Sequence, residues 1–172
     1  MRQIVAAAGR IGRHPTRQEP TIAEANVEPH SRTIDILLAQ YSESHRNPTN
    51  ELIHFICVPV IVLSLLGMLW WVHPLLAVAV VVASLAYYWK LSRPFAAGML
   101  VMALVMLGII AALPPIAVLP LCIVIFVLAW AGQFIGHMIE GKKPSFLDDL
   151  RFLLIGPLFV LSFLYRRFHL AY

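Results

Sequence analysis

Two short polar segments interrupt a chain that is otherwise strongly apolar. The first runs His45-Arg46-Asn47-Pro48-Thr49-Asn50-Glu51-Leu52-Ile53-His54, and the second Gln133-Phe134-Ile135-Gly136-His137-Met138-Ile139-Glu140. Imidazole with carboxylate suits Fe, Mn or Zn, and such a set with open positions suits non-haem Fe(II) handling oxygen. Ionisable groups kept within apolar spans are costly, so function is the first expectation for them. Each also has a plainer reading. His54 could hydrogen-bond a neighbouring helix, and Gln133 reads better as such a bond than as a ligand. Glu140 could pair with Lys142 or Lys143 at the surface, where a pair is worth little. His45 could be a loop residue, and Asn47 and Asn50 read as caps.

Spacing says how these residues are carried. Asn47 followed by Pro48 is a helix N-cap with proline at the first helical position. Asn50 and His54 then share one stripe with Asn47, and His45 sits just outside the helix. Pro59 removes a donor one turn beyond His54 and loosens the helix there. Gln133, His137 and Glu140 fall at i, i+4 and i+7, one face of a helix. Asp148 follows a short Pro144-Ser145-Phe146-Leu147 segment, where it could cap the last helix or orient a ligand histidine. Arg46 and Lys143 could meet an anionic head group, although juxtamembrane charges more often contact lipid. Cys57 and Cys122 both lie within apolar runs, which argues for packing and against a disulfide.

The elements that must position these residues are membrane helices. Of 172 residues, 60% are hydrophobic and 13% charged, and the mean hydropathy is +0.79. A globular chain carries about 25% charge, so a soluble enzyme, a nucleic-acid-binding domain and a disulfide-stapled secreted module are excluded as expectations. Apolar runs over residues 52–72, 74–89, 95–113 and 116–139 predict four crossings. A fifth run, 152–165, is short and holds Gly156-Pro157, which predicts a re-entrant or interfacial helix. Ile34, Leu37, Leu38 and Tyr41 recur at helical spacing and predict an N-terminal amphipathic helix on the membrane surface. Residues 1–33 lack any apolar period and read as a mobile tail, leaving 34–172 as one membrane-embedded all-α bundle.

Charge sets the expected orientation. With four crossings, all 13 Lys and Arg residues fall on one side, which the positive-inside rule makes cytoplasmic. The N-terminus and both polar segments then share the cytoplasmic face of a bacterial inner membrane or an endoplasmic reticulum. His45, His54, His137 and Glu140 are thereby brought to one depth, although about 85 residues of chain separate the two segments, and together they make a candidate metal site.

At these positions the sequence resembles a known family. His45-Arg46-Asn47-Pro48-Thr49-Asn50 through His54 to Pro59, Gln133 to Gly136-His137 through Glu140 to Lys143-Pro144, and Leu154-Ile155-Gly156-Pro157-Leu158 are similar to segments of the small membrane 2-hydroxy fatty acid dioxygenases. That family was first defined in yeast phytosphingosine breakdown and has many bacterial relatives. The resemblance covers about residues 34–168. It implies an Fe(II)-dependent enzyme of fatty acid α-oxidation that uses O2 to convert a 2-hydroxy fatty acid to the acid one carbon shorter. The family's iron-binding histidines match His45, His54 and His137, which would also be the catalytic set. Glu140 joins the ligands on helix geometry alone. The expected partners are the hydroxy acid, O2 and membrane lipid, with no nucleic acid.

Two readings of other classes remain at this point. His54 and His137 could be axial ligands of a haem in an electron carrier. Alternatively the polar segments could serve a non-catalytic transporter or scaffold.

Overall fold

Proline sets where the long helices begin. The computed structural model describes residues 32–172 and is all-helical there. After α1 (Thr33–Ser42) come α2 (Pro48–Val72), α3 (Pro74–Leu91), α4 (Arg93–Ala112) and α5 (Pro115–Glu140). Each of the last four opens on a proline or one residue before it, where the missing N–H would have no helical partner anyway. The residue ahead supplies a cap in three of them. Asn47 Oδ1 accepts from Thr49 N at 2.9 Å, His73 Nδ1 from Leu75 N at 3.2 Å, and Ser92 Oγ from Phe95 N at 3.4 Å. A 3-10 turn (Ser145–Leu147) and α6 (Phe152–Arg167) complete the chain. Apart from Arg32 and Thr33, the stretch expected to be a tail lies outside the described residues, as do His14 and His30.

Four helices, α2 to α5, are long and apolar enough to cross a membrane, as the four runs predict. Their outward faces are aliphatic: Leu75, Ile116 and Leu128 are exposed by 70%, 88% and 66%. Surface of that kind is stable against hydrocarbon and not against water. Successive crossings alternate in direction, so the starts of α2 and α4 and the ends of α3 and α5 share one end of the bundle.

The most extensive pairing is α2 with α5. It is close because glycine faces a side chain at three levels. A Cβ added at Gly136 would run into Asn50, at Gly132 into Cys57, and at Gly67 into Cys122. Small residues permit such approach where no hydrophobic force acts between helices in lipid. Cys57 and Cys122 are free thiols used in this packing. Gly141, at φ 73°, ends α5 in the left-handed conformation that a helix C-terminus favours, its N–H bonding His137 O at 3.0 Å.

α6 has 16 residues, about 24 Å of helix and short of a comfortable crossing. It packs against α1, α2 and α4, and residues 155–162 are buried without a break. Two hydroxyls fasten it to that end of the bundle: Tyr88 Oη donates to Leu154 O at 3.0 Å, and Tyr165 Oη to Pro94 O at 2.6 Å.

Candidate metal centre

His45, His54 and His137 come from three different elements: the link after α1, the second turn of α2 and the last turn of α5. All three are buried, at 4%, 1% and 5% exposure. One ring nitrogen from each lies within 4.8 Å of the others, close enough to hold a metal ion. The rings meet edge to face, with centroids 4.2 Å apart for His45 and His54, 4.8 Å for His54 and His137, and 5.1 Å for His45 and His137.

Two of the imidazoles are held in a defined tautomer by the carbonyl four residues earlier. His45 Nδ1 lies 2.7 Å from Tyr41 O and His54 Nδ1 lies 3.0 Å from Asn50 O. A carbonyl only accepts, so each Nδ1 carries the proton and each Nε2 keeps its lone pair. His45 Nε2 and His137 Nδ1 are buried with no hydrogen-bond partner. Buried polar atoms are seldom left so, and a cation bound to the three rings would satisfy a free lone pair. Burial holds the His45 imidazole well below its ordinary range, down to about 4, against a smaller lift from the Tyr41 carbonyl. It is therefore neutral near pH 7, as a metal ligand must be.

Glu140 does not join the three rings, which corrects the ligand expected from helix spacing. Its carboxylate accepts from Arg46 N at 3.0 Å, Asn47 N at 2.8 Å and Asn50 Nδ2 at 3.1 Å. The backbone N–H groups where the chain enters α2 need an acceptor, and the end of α5 brings one. Asn50 is a crosslink as well as a helix residue, its amide also donating to Ser44 O at 3.1 Å, whereas Asn47 caps as expected. Together these bonds fix the link that carries His45 against the helix that carries His137.

Gln133 is buried on the α5 face that holds His137, and both line a small chamber with His54. Arg46, Lys143 and Asp148 are elsewhere. Arg46 is exposed and meets Glu140 through its backbone. Asp148 neither caps α6 nor reaches a histidine, since it pairs with Lys143 at 2.5 Å with both side chains more than half exposed. Asp149 closes the turn ahead of α6, accepting from Arg151 N at 2.8 Å, and α6 itself starts without a side-chain cap. His73 serves as the α3 cap, away from the rings.

Residues not expected from sequence complete the surroundings. Tyr41 stacks on His45 with centroids 4.2 Å apart and planes at 9°, and Phe159 lies 5.5 Å from the His45 ring. Ser145 is buried on the chamber wall with an unpaired Oγ. The four-residue interval from Tyr41 to His45, repeated from Asn50 to His54, was the available signal for the first. Nothing local marks Ser145 or Phe159.

The sequence matches, over residues 31–168, the family described as 2-hydroxy-palmitic acid dioxygenase Mpo1-like. The chain belongs to that family. The part shared with the Mpo1-like family runs from just ahead of α1 to just past α6 and contains all three histidines. Neither a curated protein nor a solved structure matches the chain.

Proposed function

We propose that the chain is an Fe(II)-dependent dioxygenase of fatty acid α-oxidation, converting a 2-hydroxy fatty acid to the acid one carbon shorter with O2. The observation that carries this reading is the trio of buried imidazoles whose nitrogens lie within 4.8 Å, in a chain of the Mpo1-like family. His45 and His54 would bind through Nε2, and His137 would complete the set. Three neutral imidazoles suit iron and leave positions free; bound there, Fe(II) supplies Lewis acidity and electron transfer toward O2.

The chain's own residues do the positioning. The Tyr41 and Asn50 carbonyls aim the two Nε2 lone pairs. Tyr41 and Phe159 cover His45 and exclude water from that side. Glu140 and Asn50 lock the two segments in register. O2 suffices as oxidant for the overall conversion: the C1–C2 bond breaks, C1 leaves as CO2, C2 becomes the new carboxyl carbon, and one water forms. The one-sided distribution of Lys and Arg supports a site facing the cytoplasm, with substrate entering from the bilayer.

A haem reading fares worse on geometry. The His45 ring, 4.2 Å from His54 and 5.1 Å from His137, stands where a porphyrin between those two would pass. The test is metal content and the absorption spectrum of detergent-purified protein prepared anaerobically with Fe(II), wild type beside His137→Ala, followed by assay with 2-hydroxypalmitate. About one iron per chain is expected, without a Soret band, lost in the variant while helical circular dichroism is kept, together with a product one carbon shorter. A Soret band would replace this reading with the haem carrier. Absence of metal would leave a transporter or scaffold.

A further inference from the structure

The chamber beside the imidazoles has two buried donors with no partner among the described residues, Gln133 Nε2 and Ser145 Oγ. A buried donor left unpaired is costly, so two in the lining of one chamber point to an acceptor that arrives with a ligand. The charged side chains expected to meet a head group do not supply this contact. Arg46 lies at the surface, and Lys143 is engaged with Asp148.

The chamber adjoins a second space. Val62, Leu153 and Pro157 line both, and beyond them lies a second cavity between α2, α3, α4 and α6. Its wall is aliphatic, with Met99, Met102 and Met106 along one side, and Ser84 and Tyr88 are the only hydroxyl-bearing residues lining it among the described residues. Tyr88 is already bonded to Leu154 O. On α2, His54, Val58, Val62 and Leu66 recur every fourth residue and lead from the imidazoles to the cavity. That face rises about 18 Å. Methionine walls adapt to flexible apolar ligands. The methionines of α4, which by sequence alone look like helix packing, are therefore on a cavity surface.

We propose that the two spaces form one channel for a single-chain amphiphile. Gln133 and Ser145 receive the oxygens of its head group, and the methionine-walled cavity takes its alkyl tail. The identity of the head as a 2-hydroxy acid rests on the reading above; the place of the tail does not. Ala103 and Met106 then set how long a tail fits, because both lie on the wall beyond Met99 along α4, away from the imidazole end.

The test is a photoreactive 2-hydroxy fatty acid with a diazirine near the end of its chain, irradiated with the full chain in nanodiscs and mapped by mass spectrometry. Labels are expected within residues 99–106 on the cavity-facing Met102, Ala103 and Met106, and should be competed away by unlabelled 2-hydroxypalmitate. Ala103→Phe should cut labelling at Met106 by about tenfold and shift the preferred substrate to shorter chains, a discrimination normal for a filled apolar pocket. Met106→Ala, which adds space instead, should favour longer chains. Gln133→Leu and Ser145→Ala should each weaken probe binding by about tenfold. Val101→Phe, on the outward face at 62% exposure, should change none of these. Labels confined to Val101, Leu104 and Val105, or a chain-length profile unmoved by both Ala103→Phe and Met106→Ala, would overturn the channel. Cavity labelling without turnover of any 2-hydroxy acid would support the channel and sink the reaction.

Discussion

The α2–α5 pair is held in two different ways at its two ends. At one end, the contacts are polar: Glu140 accepts from Asn50, the His54 and His137 rings meet edge to face, and the link carrying His45 is tied in through Glu140. At the other end the contacts are apolar: Leu66, Cys122, Val118, Met106 and Ile110 form a small core, and Gly67 lies directly against Cys122. The comparison separates two requirements of a buried site. Glycine–side-chain packing sets the helix separation along the whole pair, and polar contacts set the register at the end where the imidazoles converge. The polar end tolerates its buried groups because most are bonded within it, which a bilayer demands. Apart from Asn50 Oδ1, which lies against Gly136, those left unpaired belong to the rings or to the chamber lining.

Several substitutions would break that division. The largest effect is expected from Glu140→Ala, which leaves the Arg46 and Asn47 N–H groups and the Asn50 amide without their acceptor. Metal affinity should fall about 10- to 100-fold, the usual cost of losing a group that orients ligands. Glu140→Gln should recover part of this, as read by titration of the metal-free protein with Fe(II). Affinity unchanged in Glu140→Ala would mean that register at this end comes from packing alone. At the apolar end, Gly67→Ala should cost about 1–3 kcal/mol by overpacking against Cys122. Thermal unfolding should record the loss, metal affinity should stay near wild type, and Cys122→Ala should restore stability in the double variant.

A smaller and pH-dependent effect belongs to His45. Its folded imidazole titrates near 4 against an ordinary value of 6.5, so below 6.5 the unfolded chain binds the proton more readily. The metal-free protein should hold this contribution fully above about pH 6.5 and lose it progressively as pH falls toward 4. Unfolding midpoints at several pH values, compared with His45→Gln, measure it; identical slopes would show that His45 is not held neutral by burial. The smallest effect is expected for Lys143→Ala and Asp148→Ala. Their exposed pair should contribute less than about 1 kcal/mol, with metal content unchanged in both.

Much of the architecture was legible in particular residues. Pro48, Pro74, Pro94 and Pro115 mark helix starts because proline lacks only a donor that a first turn does not use. The apolar runs between them mark crossings because they are long enough to span hydrocarbon. The same alternation of crossings placed His45, His54 and His137 at one depth without any coordinates. Glu140 was less tractable. Its i+7 spacing from Gln133 puts it on the right face of α5, and that spacing says nothing about what the chain entering α2 needs at the same place. Asp148 and Asp149 are adjacent acids, and which one meets Arg151 and which one meets Lys143 depends on the path of the 3-10 turn ahead of them.

Composition, proline positions and charge distribution alone therefore determined a four-crossing helical bundle with His45, His54 and His137 gathered at one end, because each of these is a local or additive property of the chain. Which groups touch was decided only by the tertiary structure. The turn of each helix about its axis, set by glycines meeting Asn50, Cys57 and Cys122, brings three imidazoles within 4.8 Å and turns Glu140 to the backbone of the α2 entry. The same packing stacks Tyr41 on His45 and leaves Gln133 and Ser145 facing a space that no sequence interval reveals.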